Sequence, residues 1–266
     1  MSKVIHIVGC SPRSGTSLLQ ELMTTCFKID SYCEHEQSIF KVNKMKGDVV
    51  CTKSPREMPY MPWLLRVDPE LHVIYMLRDP RSVVVSKHKK APDQYYSNLK
   101  VWKANEHYRK QINDHKRFLV IKYEDLVMSP DIIQKTIEES FPFLLETAPF
   151  SEFHKRANPS LLTTRALNGL RPISNNRIDS WQNHLPRVKA QINRYGDISD
   201  DLIELGYETS FLWQEKLKDI EPDYYESIQD EHYTYFNTLK MKYRIFRKTV
   251  FYIFEKLLSR TSSIPT

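Results

Sequence analysis

The sequence predicts an α/β protein with a doubly wound parallel sheet, and three observations carry that expectation. A short β-rich run, Val4, Ile5, Ile7 and Val8, empties into the loop "GCSPRSGTSLL" at residues 9 to 19. The stretch "LHVIYML", 71 to 77, is continuously apolar, as a strand buried on both faces of a parallel sheet must be. Between and after these runs, segments with helical spacing alternate with further short apolar runs, which is the pattern of strands joined by crossover helices.

The elements follow in order. Pro12 and Gly15 break the first strand, and Thr16 opens a helix carried by Leu18, Leu19, Leu22 and Met23. Phe27 to Tyr32 is a short extended piece, followed by the polar turn "CEHEQ" and a helix. Val49 to Cys51 is a small strand running into "TKSPREMPYMPWLL", a loop and then a helix with Pro59 and Pro62 near its start. The buried strand at 71 to 77 releases "RDPRSVVVSKHKK"; a long helix is expected over 93 to 114, and "RFLVIKYEDLV" supplies another strand. Beyond residue 150 the pattern turns to loops and helices. The long polar segment "RANPSLLTTRALNGLRPISNNRIDSW" reads as a lid or binding loop.

Composition narrows the function classes. The 266 residues suffice for one α/β domain with elaborations, and 41% hydrophobic with 27% charged residues is ordinary for a globular protein. No N-terminal signal is visible and no stretch is long enough to span a membrane, so a cytoplasmic setting is expected, with peripheral membrane contact left open. Cys10, Cys26, Cys33 and Cys51 form no CxxC pair and no metal-ligand spacing with the histidines; reduced thiols and no metal site are expected. The net charge of +6 is not a nucleic-acid signature. Residues 240 to 260 hold seven Lys or Arg and one Glu. The rest, thirty-nine basic less seven and thirty-three acidic less one, balances at 32 of each.

The first loop has the grammar of a phosphate site: a strand, a tight turn and a helix N-terminus aim free N–H groups and the positive end of the helix dipole at an anion. Arg13 adds a planar fork of donors, and Thr16 and Ser17 add hydroxyls. The loop departs from the triphosphate pattern G-x-x-x-x-G-K-[ST], with Thr16 in place of the lysine and Cys10 in place of the first glycine. An ordinary P-loop ATPase is therefore disfavoured. Arg78, at the end of a buried strand, and Ser86 form a second candidate anion site, and a carboxylate does not end that strand as a magnesium site would require.

"PRSGTSLL" and "LRDPRSVVVS" together resemble the two nucleotide signatures of sulfotransferases that use 3′-phosphoadenosine 5′-phosphosulfate (PAPS). "KSP" at 53 to 55, "IKYEDLV" at 121 to 127, "DSWQNHLP" at 179 to 186 and "ELGYET" at 204 to 209 resemble bacterial and protein-tyrosine members. The resemblance covers about residues 3 to 210 and leaves out the tail. It implies a P-loop-like three-layer α/β/α fold, with a catalytic domain over 1–213 and a helical basic extension over 214–266. It implies PAPS as co-substrate, adenosine 3′,5′-bisphosphate as product, and no metal.

Carried over by position, the backbone of Ser14 and Gly15 with Thr16 and Ser17 would hold the 5′-phosphate. Arg13 would neutralise the bridging oxygen and sulfuryl group with Lys53. Arg78 and Ser86, with Lys90, would bind the 3′-phosphate, Tyr123 would line the adenine pocket, and Arg171 and Ser174 would close over the nucleotide. Glu34 falls where related members place the catalytic base, with His35 and Glu36 beside it as the other candidates. The expected acceptor is a glycan or glycolipid hydroxyl, with a tyrosine or small-molecule hydroxyl as the alternative. A kinase or a non-catalytic nucleotide-binding protein are the rivals from other classes.

In the tail, Phe246, Val250, Ile253, Phe254 and Leu257 fall on one helical face, with Lys240, Arg244, Arg247, Lys248 and Arg260 supplying charge. A surface-lying membrane helix, packing on the catalytic domain and packing on a second subunit are the three expectations there.

Overall fold

A computed structural model describes residues 2–88, 91–229 and 235–261 of the chain, with side chains left out of the description at 88, 91–93, 235–238 and 257–261. Its centre is a five-stranded, wholly parallel sheet in the order β2-β3-β1-β4-β7. The strands are β1 (Lys3–Gly9), β2 (Ser31–Tyr32), β3 (Val49–Lys53), β4 (Leu71–Leu77) and β7 (Phe118–Lys122). Between β4 and β7 lies an antiparallel pair, β5 (Lys87–His88) and β6 (Ala91–Tyr95). The helices are α1 (Thr16–Cys26), α2 (Met61–Val67), α3 (Pro80–Val84), α4 (Leu99–Lys110), α5 (Tyr123–Met128), α6 (Pro130–Ser140), α7 (Leu161–Leu167), α8 (Leu185–Tyr195), α9 (Ser199–Glu204) and α10 (Tyr235–Thr261).

The sheet separates two apolar layers, which is the three-layer α/β/α arrangement expected from the sequence. On one face Ile5, Ile7, Ile74 and Met76 meet Leu19, Leu22 and Met23 of α1 and Ile137 of α6. On the other face Val4, Val8, Val73 and Tyr75 meet Leu64 and Leu65 of α2 and Trp102 of α4. Every residue of β4 is buried, as its unbroken apolar sequence requires.

Two sequence expectations change. The long helix over 93 to 114 is shorter: α4 begins at Leu99, where Asn98 caps it by accepting from the Val101 amide at 2.9 Å, and residues up to Tyr95 belong to the β5–β6 pair. The helix after "CEHEQ" is a single 3₁₀ stretch, Ile39–Lys44, capped by Ser38.

Residues after 213 make contacts with the preceding part of the chain. Trp213 and Leu217 pack with Trp181, Val188 and Leu202 in a third cluster. The amides of Ile228 and Gln229 donate to the carbonyls of Tyr95 and Tyr96. Ile245 and Tyr252 of α10 enter the same core cluster as α2.

Candidate functional site

The site lies where the strands end and the chain must turn. β1 stops at Gly9, and a Cβ there would meet Ser14 Oγ at 2.3 Å, so the loop folds back tightly over the strand end. The loop is pinned from below: Cys10 N donates to Met76 O at 2.9 Å, and Asn105 of α4 donates to Cys10 O at 2.9 Å. Arg13 and Gly15 both hold positive φ, 77° and 100°. Gly15 stands as the cap of α1 with no side-chain cap and no acidic residue in the first turn, so the helix N-terminus presents its own amides. Ser14 is fully buried and its hydroxyl is unpartnered beneath the loop, which leaves its backbone rather than its side chain to face a ligand.

Four of the expected residues, Arg13, Arg78, Ser86 and Tyr123, converge here. Arg13 Nε donates to Ser86 Oγ at 3.2 Å, and Arg78 donates to the Arg13 carbonyl at 3.0 Å. The Arg78 guanidinium lies 4.3 Å from the centre of the Tyr123 ring, and its Nε has no protein partner. Tyr123 in turn presses on the loop: a Cβ on Gly15 would stand 2.5 Å from Tyr123 Cδ2. Burial, then the Arg78 and Arg177 charges, pulls the Arg13 pKa below its ordinary value.

These groups open onto a cavity of about 640 Å³, the size of a cofactor-class ligand site. Of the residues singled out from the sequence, Arg13, Gly15, Thr16, Ser17, Arg78, Tyr123, Arg171 and Ser174 line it. Ser86 reaches it only through Arg13. Lys53, at the end of β3, is buried one layer behind: its Nζ donates to Ser17 Oγ at 2.9 Å and lies 3.8 Å from Glu36 Oε1. Burial lowers its pKa against the opposing pull of Glu36. Lys90 lies outside the described residues.

Glu34 does not line the cavity. It is exposed, and its backbone carbonyl accepts from Thr163 Oγ1 at 2.5 Å, fastening α7 to the turn. His35 and Glu36 do line it. The His35 Nδ1 is buried without a partner, and burial, then the Lys53 charge, lowers its pKa, so the imidazole is neutral at pH 7. Cys10 is fully buried with a thiol pKa pushed well up, by desolvation first and Glu106 second, which fits a small loop-lining residue rather than a nucleophile.

Sequence reasoning missed Lys87, Tyr96, Arg165 and Arg177, all of which line the cavity. Arg165 and Arg177 sit in the polar segment read as a lid; that segment does arch over the cavity, carrying α7 and the turn through Asn168 and Gly169. Its basic spacing was the available signal. The lid is anchored at its far end by a cluster built on Arg81. That guanidinium pairs with Asp79 at 2.7 Å and Glu208 at 2.5 Å, 4.0 Å from the Trp181 ring and 5.0 Å from the Trp213 ring. Among the described residues lining the cavity there are six Lys or Arg side chains and one carboxylate, Glu36.

Fold and cavity together define an α/β protein with a cation-lined cavity at the carboxyl ends of its strands. Residues 36–141, from before β3 to the end of α6, match the sequence model of the sulfotransferase family. Two solved structures are similar to it. One is a sulfotransferase domain from the curacin biosynthetic pathway, 15% identical, covering 68% of this chain and 90% of that one with a TM-score of 0.46. The other is a sulfotransferase domain from the Synechococcus PCC 7002 olefin synthase, 16% identical, covering 68% and 88% with a TM-score of 0.42. Among curated proteins there is no match.

Proposed function

We propose that the protein transfers a sulfuryl group from PAPS to an acceptor hydroxyl, without a metal, and that the acceptor is a glycan or glycolipid. The observation that carries this reading is the convergence of Arg13 and Arg78 with the β1–α1 loop on one cavity whose lining cations outnumber its carboxylate six to one. A donor with phosphates at both ends of an adenosine needs two separate anion sites. The loop amides of Ser14 to Ser17 suit the 5′ side, and Arg78 with Ser86 suits the 3′ side. Tyr123, which lines the cavity beside Arg78, would border the base, and Arg171 and Ser174 line the cavity from the lid.

Sulfuryl transfer, like phosphoryl transfer, needs the attacking and leaving oxygens in line and positive charge where the leaving oxygen gathers negative charge. Arg13, held in a left-handed backbone conformation and fixed at both its Nε and its carbonyl, suits that role. Lys53 supports it from behind Ser17. For the base that takes the acceptor's proton, His35 has stronger support than Glu34, because it lines the cavity, is neutral at pH 7 and carries an unpartnered nitrogen.

Thermal unfolding with adenosine 3′,5′-bisphosphate, and separately with ATP and magnesium, tests the donor class. A ligand at a hundred times its dissociation constant adds about 2.7 kcal/mol of stability. A rise in Tm with the bisphosphate alone supports the reading and justifies assaying acceptors with labelled PAPS. A rise only with ATP and magnesium refutes it in favour of a kinase.

A further inference from the structure

We propose that the outward face of α10 docks on an anionic lipid surface. The helix carries two faces. Ile245, Thr249 and Tyr252 point inward and are buried, and Tyr252 Oη donates to the buried carboxylate of Asp68, which also pairs with Lys256. Lys248 lies over the Phe40 and Tyr60 rings. That half explains how the helix is held to the domain. The opposite half contains Leu239, Tyr243, Phe246, Val250 and Phe254, spaced at three and four residues and each 46–67% exposed. A row of this kind on a helix already fixed by its other face has no role in the core.

The flanks identify the partner. Arg247 and Lys240 run along one edge of the row and Lys242 along the other, all exposed. The segment 240 to 260 carries a net +6, which equals the net charge of the whole chain, and Glu255 is its one acid. An aromatic row bordered by cations matches an interface of apolar acyl chains beneath anionic headgroups. A second copy placed on this face by a two-fold axis would oppose the same cations to one another, so charge favours the lipid surface over a self-association. No helix among the described residues is long and apolar enough to cross a membrane, so α10 would lie along the surface.

Docking there would also orient the cavity. α10 packs on the 3₁₀ stretch Ile39–Lys44 and on Met58–Tyr60, which continue the two segments that supply His35, Glu36 and Pro55 to the cavity wall.

The test is co-sedimentation of the full chain with vesicles of phosphatidylcholine alone and of phosphatidylcholine with one third phosphatidylserine, at low and high salt. Binding to the anionic vesicles that weakens with salt is expected. Each cation removed from a membrane surface lowers affinity roughly fivefold, so the triple variant K240Q/K242Q/R247Q should bind roughly a hundredfold more weakly. F246S/V250S/F254S should lose binding while keeping the wild-type Tm, because all three side chains are exposed. Wild-type protein that ignores the anionic vesicles overturns the proposal. So does a lipid-free dimer, seen by sedimentation equilibrium, that the triple serine variant abolishes; that result assigns the face to a second copy. Because the readout is vesicle binding, neither result depends on the reaction proposed for the cavity.

Discussion

Gly15 is the position where the fold and the proposed chemistry can be tested with one methyl group. Its φ of +100° is a conformation that costs an L side chain about 1–2 kcal/mol. A Cβ there would also stand 2.5 Å from Tyr123 Cδ2, a ring confined on its other side by Arg78 at 4.3 Å. Relief requires the ring to move, and overpacking of this kind costs about 1–3 kcal/mol. Gly169 provides the internal control: its φ is +92°, but a Cβ there has nothing within 4 Å, so only the backbone cost applies. Gly15→Ala should therefore lose about 3 kcal/mol and Gly169→Ala about 1.5, and at about 3 °C per kcal/mol for a chain of this size the midpoints fall by about 9 and 4–5 °C. The assay is thermal unfolding of both variants beside wild type, followed by titration with adenosine 3′,5′-bisphosphate. The displaced Tyr123 ring should weaken bisphosphate binding in Gly15→Ala. Equal midpoints for the two variants would refute the close approach of Tyr123 to the loop.

The remaining predictions concern single side chains. Arg78→Ala should weaken bisphosphate binding, measured by calorimetry, by roughly ten- to a hundredfold, the value of a hydrogen bond to a charged group; unchanged affinity would remove Arg78 from the anion site. His35→Gln should lower kcat by roughly a hundredfold or more with bisphosphate affinity nearly intact, and Glu34→Gln should change kcat little; the reverse order would return the base to Glu34. Because the His35 pKa is lowered and a base must be unprotonated, the acid limb of kcat/KM in the wild type should have its midpoint below the ordinary imidazole value of 6.5 and should vanish in His35→Gln. Asp68→Asn removes the buried carboxylate that accepts from Tyr252 and Lys256 and should cost about 1.5–3 kcal/mol, the value of a hydrogen bond to a charged group, read as a lower Tm and earlier proteolytic release of α10; an unchanged Tm would mean that the helix is held by its apolar contacts alone.

The sheet was legible because each strand declared itself locally. The continuous run of β4 allowed only a strand with both faces covered, and the loop after β1 named its own turn through Pro12 and Gly15. The β5–β6 pair was hidden for the opposite reason. "KHKKAPDQY" has neither alternation nor an apolar run, and its pairing depends on the neighbouring segment, whose Ile228 and Gln229 amides reach the carbonyls of Tyr95 and Tyr96. In the site, residues on the loop and at strand ends could be placed because their direction follows from the backbone. Glu34, His35 and Glu36 could not be ordered that way. They sit on a turn, where adjacent side chains point in unrelated directions, and Thr163, some 129 positions away, determines how that turn is held. The segments around Trp181 and Glu208 were readable as part of a pattern but not as structure: their shared work is to enclose the Arg81 guanidinium, a contact no local spacing encodes.

The cavity also explains a cost the chain carries. Arg13, Arg78 and Arg177 stand close enough that the charges of the other two oppose protonation of Arg13, while burial removes the water that would screen them. Lys53 is buried beside a single distant carboxylate. Such an arrangement is destabilising by itself and would be relieved if an anion supplied negative charge there. The loop is correspondingly held by neutral contacts from below, the Asn105 and Met76 hydrogen bonds to Cys10, which remain whether or not an anion is bound. Neutral support beneath and clustered cations above is a division that would let a site keep its geometry while directing its electrostatic attraction at a ligand. It follows that a simple anion should already stabilise the protein. Inorganic sulfate at millimolar levels should raise Tm in the wild type more than chloride at equal ionic strength. In Arg78→Ala that difference should shrink, because one of the mutually repelling charges is gone.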